Sequence, residues 1–103
     1  MLKSRAYPLI KGEVIMTLEE GLNILHIDAG YNDSLVSSLI EAIPSYIETT
    51  TGMKAEQQVQ EPLCKTVGGF LLQLWYYADK ADDMSLNRTI EALLKAITLK
   101  VEK

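Results

Sequence analysis

The fold of this chain is decided by residues 16–52, whose sequence is MTLEEGLNILHIDAGYNDSLVSSLIEAIPSYIETTTG. Thr17 and Glu20 have the spacing of a capping box, in which the side chain of each residue hydrogen-bonds the backbone N–H of the other, so a helix is predicted to begin here. Its apolar face repeats at i, i+4 and i+7 and consists of Leu18, Leu22 and Leu25. Asp28-Ala29-Gly30 favours a turn, and the first helix is therefore predicted over residues 17–27.

A second, longer helix is predicted over residues 33–51. Asn32 or Asp33 fits its N-cap, because short polar side chains accept hydrogen bonds from the free N–H groups of the first turn, and Gly52 fits its end. Pro44 removes one backbone hydrogen bond at a cost of about 3 kcal/mol, but the apolar spacing continues in phase on both sides, so a kink is expected. The apolar stripe consists of Leu35, Val36, Leu39, Ile40, Ile43, Tyr46 and Ile47.

A third helix is predicted over residues 62–79. Residues 53–60 before it are polar and without apolar periodicity, which predicts a connecting loop. Pro62 suits the first turn of a helix, where its missing N–H has no helical partner. Gly68 and Gly69 each lower the stability of the helix by about 1 kcal/mol relative to alanine. Glycines inside a helix are typical of positions where another element approaches closely.

A fourth helix is predicted over residues 86–99, with Ser85 or Asn87 as its cap. Its apolar positions are Ile90, Leu93, Leu94 and Ile97. The four segments predict an all-α fold, a small bundle of about four helices, and residues 16–103 are expected to form a single helical domain.

Residues 1–15 fit none of these helices. They are expected to form an irregular or extended N-terminal arm outside the folded core. Alternatively, translation begins at Met16, because Lys11-Gly12-Glu13 can be encoded by a purine-rich ribosome-binding sequence at a suitable distance.

Composition favours a protein that completes its burial against other molecules. A chain of 103 residues buries a comparatively small fraction of its unfolded surface, yet 48% of these residues are apolar or aromatic. Packing against copies of itself or a partner accounts for this excess, and a compact monomer with ordinary apolar surface is the alternative. A single cysteine excludes an intrachain disulfide, and no apolar run approaches the roughly 20 residues needed to span a membrane. We therefore expect synthesis in the cytosol and no membrane contact.

Acidic residues are concentrated in one part of the chain. The net charge of −4 disfavours a surface that grips nucleic-acid phosphates. Residues 12–53 hold seven acidic residues and no lysine or arginine, whereas residues 54–103 hold seven of each sign. The acidic segment is either a solvated helical face or a flank that meets a less acidic flank of a neighbouring subunit, head to tail.

No pattern in the chain indicates catalysis, a cofactor or a metal, and the protein is expected not to be an enzyme. His26 and Cys64 are the only histidine and cysteine, and no third motif would orient them as a catalytic pair. Cys64 fits a small buried apolar residue, and His26 fits a helix C-terminus, where an imidazolium is favoured. Asp79, Asp82 and Asp83 lack the glycine and glutamate spacing of a calcium loop, so they predict a solvated turn.

Three consecutive aromatic residues, Trp75, Tyr76 and Tyr77, are the strongest candidates for an interaction site. Successive helical residues differ by about 100° in direction, so the three rings cannot all face one core. Trp and Tyr are enriched at interface hot spots. The alternative is that Trp75 lies at the edge of the core and the two tyrosines cover a loop.

The order of these elements resembles the head-tail connector (adaptor, head-completion) proteins of tailed bacteriophages and prophages. The resemblance spans roughly residues 16–99. It rests on Leu25-His26-Ile27-Asp28 at the end of the first helix, on Asn32-Asp33 after the turn, and on the Trp75-Tyr76 pair near the end of the third helix.

The resemblance implies a structural virion protein without a cofactor. Its subunits would form a homo-oligomeric ring that docks on the portal protein and receives the stopper or tail-completion protein at the head-tail junction. DNA would pass through the lumen without being read. We expect the subunit or partner interface at Trp75, Tyr76 and Tyr77 and at the acidic residues Asp28 and Asp33. The competing interpretation is an intracellular acidic helical module, regulatory or antitoxin-like, that covers a basic partner.

Overall fold

The computed structural model describes residues 15–78 and 84–102, and all the regular structure within these ranges is helical. The helices are α1 (Leu18–Leu25), α2 (Asp33–Thr51), α3 (Ala55–Gln58), α4 (Pro62–Tyr76) and α5 (Met84–Val101). The predicted all-α fold class is confirmed. None of the described helices is both long and apolar enough to span a membrane.

The starts of α1 and α4 follow local signals of the sequence, whereas Asn32 stands at the N-cap of α2 without the side-chain hydrogen bond expected of it. The Thr17 hydroxyl accepts from the Glu20 N–H at 3.1 Å, and the Glu20 carboxylate accepts from the Thr17 N–H at 2.9 Å, which completes the capping box of α1. Pro62 is the first residue of α4, and the carboxylate of Glu61 caps that helix by accepting from the Leu63 N–H. Strong local signals therefore place both starts correctly.

The helix ends differ from the predictions where a residue leaves helical geometry. α1 ends at Leu25 rather than residue 27, because His26 adopts a left-handed conformation with φ of 61°. α2 ends as predicted, since Gly52 takes φ of 87°. α4 ends at Tyr76 rather than residue 79, and Tyr77 follows it outside helical dihedral angles.

Two predictions about the second half of the chain are wrong. Residues 53–60 are not all loop, because they include the short α3, which adds a fifth helix to the bundle. Four residues are too few for an apolar period, so the sequence carried no signal for this helix. Ser85 and Asn87 lie inside α5, which begins at Met84, and therefore are not caps. The predicted charged turn with Asp79, Asp82 and Asp83 lies outside the described residues.

The core forms where α4 packs against both α2 and α5, which also contact each other, while α1 lies against α2 and α4. Its fully buried side chains include Leu25, Val36, Ile43, Ile47, Cys64, Val67, Leu71, Leu72 and Ile97. The Lys100 ammonium lies 3.1 Å from the Glu61 carboxylate, which places the end of α5 beside the start of α4. The two helices therefore run antiparallel.

Gly68 lets another part of the chain approach α4 closely. A Cβ atom at this position would lie 3.3 Å from Ile43 of α2 and 3.4 Å from Ile15 and Met16. Ile15 and Met16 are themselves buried in the core. Ile15, which the sequence assigned to the N-terminal arm, is thus part of the packed domain; residues 1–14 lie outside the described residues.

Candidate interaction surfaces

The long helix α2 carries two apolar faces rather than the single stripe that the sequence predicted. Val36, Ile43 and Ile47 point inward and have no exposed surface. Leu35 and Tyr46 point outward and keep 48% and 38% of their surface exposed. The predicted stripe was too wide for one interface, and packing against α4 and α5 covers only its inner half.

One exposed side of α2, bordered by Glu41 and Glu48, contains no charged residue. We call this side the outer face, and its members are Ser34, Leu35, Ser38, Leu39, Ala42, Ser45, Tyr46 and Thr49. All are exposed except Leu39, which is half-buried. By their spacing, Glu41 and Glu48 lie along one edge of the outer face, beside Ser34 and Ser45, and Asp33 lies on another side of the helix. An exposed face without charge is unusual on a chain with 23% charged residues, and depletion of charge is a property of interface cores.

Trp75 extends the outer face from α2 to α4. Its ring meets the Tyr46 ring edge to face, with centroids 5.4 Å apart. A shallow groove of about 610 Å³ lies between the two helices and is lined by Leu39, Ala42, Ser45, Tyr46, Thr49 and Trp75. Its mostly apolar lining suits a docked side chain or helix from another molecule.

The two tyrosines beside Trp75 are held by contacts within the subunit. The Tyr76 hydroxyl accepts a 2.7 Å hydrogen bond from the Asn32 side chain, and the Tyr77 hydroxyl donates a 2.8 Å hydrogen bond to the Leu25 carbonyl. Their rings also pack edge to face, with centroids 4.9 Å apart. They therefore join the end of α4 to the end of α1 and the start of α2, and only Trp75 of the aromatic run lines the outer groove.

Asp28 and Asp33 lie on a different surface, beside α1. A groove of about 490 Å³ has an apolar floor and a rim of three carboxylates; its lining residues are Leu18, Glu19, Leu22, Asn23, Ile27, Asp28, Ala29 and Asp33. We call it the acidic groove. No lysine or arginine of residues 15–78 and 84–102 lines it. The Asp33 carboxylate accepts a 2.8 Å hydrogen bond from the Gly30 N–H, whereas Glu19 and Asp28 are exposed.

Part of the acidic segment is already neutralised within the subunit. The Lys65 ammonium lies 2.8 Å from the Glu20 carboxylate. This hydrogen bond, with that from the Thr17 N–H, holds the pKa of Glu20 below its usual value. The pKa of Glu61 is likewise lowered, chiefly by the Leu63 N–H and also by Lys100. Lys65 thus reaches the acidic segment, whereas no base in the described part of the chain lines the acidic groove.

Two buried polar side chains, Cys64 and Gln58, lie near the start of α4, and the Gln58 Oε1 has no hydrogen-bond partner among the described residues. The Cys64 Sγ lies 3.6 Å from the Met53 Sδ, and burial raises the pKa of this thiol to about 11. Gln58 is 1% exposed, and its amide nitrogen donates to the Pro44 and Met53 carbonyls. A thiol of such high pKa is a poor nucleophile. Within residues 15–78 and 84–102, no three His, Cys, Asp or Glu residues are grouped to hold a metal ion.

Sequence reasoning missed the outer face because it counted Leu35, Leu39 and Tyr46 toward the core. A usable signal was present, since serines at 34, 38 and 45 and no charged residue accompany these three positions. Comparisons of the chain with models of protein families, with curated proteins and with solved structures give no match.

Proposed function

We propose that this protein is a structural assembly subunit, a head-tail connector that forms a ring, docks on a portal protein and receives the stopper or tail-completion protein. The observation that carries the proposal is the outer face of α2, an exposed, uncharged surface that continues onto Trp75. Together with the resemblance of its element order to connector proteins, this surface favours a protein that acts by packing against other subunits.

The physical argument concerns the cost of leaving this surface in water. Leu35 and Tyr46 are two large side chains that the fold leaves exposed on one helix, and burying a leucine or aromatic side chain stabilises a contact by about 1.5–3 kcal/mol. The small residues Ala42 and Ser45 between them allow a helix of another molecule to approach closely. The aromatic pair Tyr46–Trp75 supplies the kind of anchor that dominates interface energies.

The proposed ring has a heterologous interface, in which the outer face meets a different surface of the next subunit. The acidic and the more balanced halves of the chain differ in charge, so a head-to-tail contact avoids placing acidic surfaces against each other. The net charge of −4 suits a channel that DNA crosses without being held.

A matched pair of leucine substitutions tests the proposal. Leu35→Ala removes an exposed leucine from the outer face, and Leu99→Ala removes one of similar exposure, 55% against 48%, from α5. In native mass spectrometry the unmodified chain is expected to form a closed ring, alone or on addition of a portal protein. Leu35→Ala should weaken this assembly at least tenfold, which corresponds to about 1.4 kcal/mol.

The same mass-spectrometry measurement gives the control and the results that would contradict the proposal. Leu99→Ala should assemble as the unmodified chain does. Equal weakening by both variants would show that the outer face is not the specific surface. A monomer or two-fold dimer that persists with the portal protein, and that neither substitution changes, would contradict the connector proposal.

The acidic groove favours a second candidate, an intracellular regulatory or antitoxin-like module that covers a basic partner. Its rim of Glu19, Asp28 and Asp33 over an apolar floor suits a basic amphipathic segment. A tight complex of one monomer with a basic protein, disrupted by Asp28→Asn and not by Leu35→Ala, would support this candidate over the ring.

A further inference from the structure

One exposed side of α5 carries two bases with a small residue between them. Arg88 and Lys95 are seven residues apart, which is two helical turns, so they lie on the same side of the helix about 10.5 Å apart along its axis. Ala92 lies between them, and all three residues are exposed. By its spacing, Glu91 lies toward the edge of this side. We call Arg88, Ala92 and Lys95 the basic face.

The acidic groove presents the complementary arrangement. Glu19 is in the first turn of α1, and Asp28 lies beyond the end of that helix. A helix of eight residues is about 12 Å long. The two exposed carboxylates therefore stand at opposite ends of α1 with the apolar floor of the groove beside them, and their spacing along the helix resembles that of the two bases on α5.

Within one subunit these two surfaces do not meet. The basic face does not line the groove, because α1 and α5 each pack against α2 and α4. The ion pairs found within residues 15–78 and 84–102 are Lys65–Glu20 and Lys100–Glu61, and neither involves the basic face or the rim of the groove. Both surfaces therefore remain available to another molecule.

The distribution of bases favours α5 as the partner surface. The part of the chain that the structure describes contains five bases, which are Lys54, Lys65, Arg88, Lys95 and Lys100. Lys65 and Lys100 are already in ion pairs, and Lys54 precedes the short helix α3. Arg88 and Lys95 are the two that share one helical face, which gives this face the charge that complements the groove.

We propose that the acidic groove of one subunit binds the basic face of a second copy of this chain. Arg88 and Lys95 meet the carboxylates at the two ends of α1, and the small side chain of Ala92 lets α5 approach the apolar floor. Leu99 lies one turn beyond Lys95 and outside this contact. The inference rests on the proposed function, because it names a second pair of surfaces through which neighbouring subunits touch, in addition to the outer face.

Two charge-reversed variants test the contact by complementation. The groove variant Glu19→Lys/Asp28→Lys and the helix variant Arg88→Glu/Lys95→Glu each bring like charges together. In native mass spectrometry each variant alone should assemble about tenfold more weakly, or worse, than the unmodified chain. An equal mixture should regain assembly with the two variants alternating, because every groove then meets an α5 of opposite charge.

A matched control separates this contact from an effect of net charge. Glu56→Lys/Glu102→Lys makes the same change in net charge as the groove variant, at exposed carboxylates outside the groove. Alone it should assemble as the unmodified chain does, and in a mixture it should not bring the helix variant into closed rings. If circular dichroism shows that a double variant is unfolded, the single substitutions Asp28→Lys and Lys95→Glu provide a second complementary pair at exposed positions.

Three results would overturn the inference and leave the proposed ring intact, because Leu35→Ala reports separately on the outer face. They are unchanged assembly of both charge-reversed variants, a complementary mixture that does not regain assembly, and rescue of the helix variant by the control. A groove variant that still assembles but no longer binds the portal protein would also overturn it, since the groove would then belong to that partner.

Two further results bear on the proposed function. Complementary variants that form only two-fold dimers would support the pairing of the two surfaces and contradict the ring. Absence of any contact between copies of the unmodified chain, with or without a portal protein, would overturn both proposals.

Discussion

The two faces of α2 both carry large apolar side chains but have opposite environments. The inner face places Val36, Ile43 and Ile47 in a core where none of them touches solvent, whereas the outer face leaves Leu35 and Tyr46 substantially exposed. Both faces follow helical spacing, and both are free of charge at their centres. The difference shows that apolar periodicity identifies surfaces that can be buried, while packing decides which of them the fold itself buries.

The comparison is tested most strongly by truncating one side chain on each face. Ile43→Ala should lower the free energy of unfolding by about 2–5 kcal/mol, because it leaves a cavity in the core. Leu35→Ala should change it by no more than about 0.5 kcal/mol, as expected for an exposed residue. Urea denaturation of both variants measures the difference. Similar losses would show that the outer face is packed in the monomer.

Pro44 lies inside α2, and its replacement tests whether the packing of the two faces needs the bend that the sequence predicts at this proline. Pro44→Ala restores an N–H donor for the Ile40 carbonyl and keeps the Pro44 carbonyl that accepts from Gln58. We expect the free energy of unfolding to rise by about 1 kcal/mol or more. A lower thermal midpoint would show that the core requires the bend, and an unchanged midpoint would show that the proline costs this helix nothing.

The aromatic residues at the end of α4 extend the same contrast, since Tyr77 serves the fold and Trp75 lines the outer groove. Tyr77→Phe removes the hydrogen bond to the Leu25 carbonyl and should lower stability by about 0.5–1.5 kcal/mol. The control is Tyr31→Phe, because Tyr31 is 74% exposed and its loss of a hydroxyl should be nearly neutral. Equal thermal midpoints for the two variants would indicate that the Tyr77 contact contributes nothing.

The smallest effect is expected for the ion pair that joins α1 to α4 at the surface. Lys65→Ala should cost less than about 1 kcal/mol at neutral pH, because both groups of the Lys65–Glu20 pair are well exposed and screened by solvent. The lowered pKa of Glu20 means that the pair stabilises the fold above the ordinary value of 4.5 and that this contribution is lost as the pH falls through the folded value. The free energies of unfolding of the unmodified chain and of Lys65→Ala should converge between pH 7 and pH 3. A difference between them that persists at pH 3 would indicate that the substitution removes packing contacts rather than an ion pair.

Much of the fold follows from local signals in the sequence. The capping box at Thr17, the proline at 62 and the glycine at 52 each act within one helical turn, so their effects do not depend on the rest of the molecule. α3 escaped prediction because a helix of four residues has no period. Its stability comes from contacts outside it, including the buried Gln58 side chain, which reaches back to α2.

The candidate site was predicted less completely than the fold. The sequence identified Trp75 and the acidic residues Asp28 and Asp33 as surface candidates, and these residues border two separate grooves. It placed Tyr76 and Tyr77 with Trp75, but their hydroxyl partners come from Asn32 and Leu25, far away in the chain. Such long-range hydrogen bonds leave no local pattern to recognise.

The sequence by itself determined the all-α class, the N-terminal cap of α1, the start of α4 at Pro62 and the end of α2, because these depend on interactions between residues a few positions apart. Only the tertiary structure decided which half of the apolar stripe of α2 is buried and which aromatic residue of α4 lines a groove. Those outcomes depend on where α4 and α5 pack, and several helices compete for the same apolar surface when the chain folds.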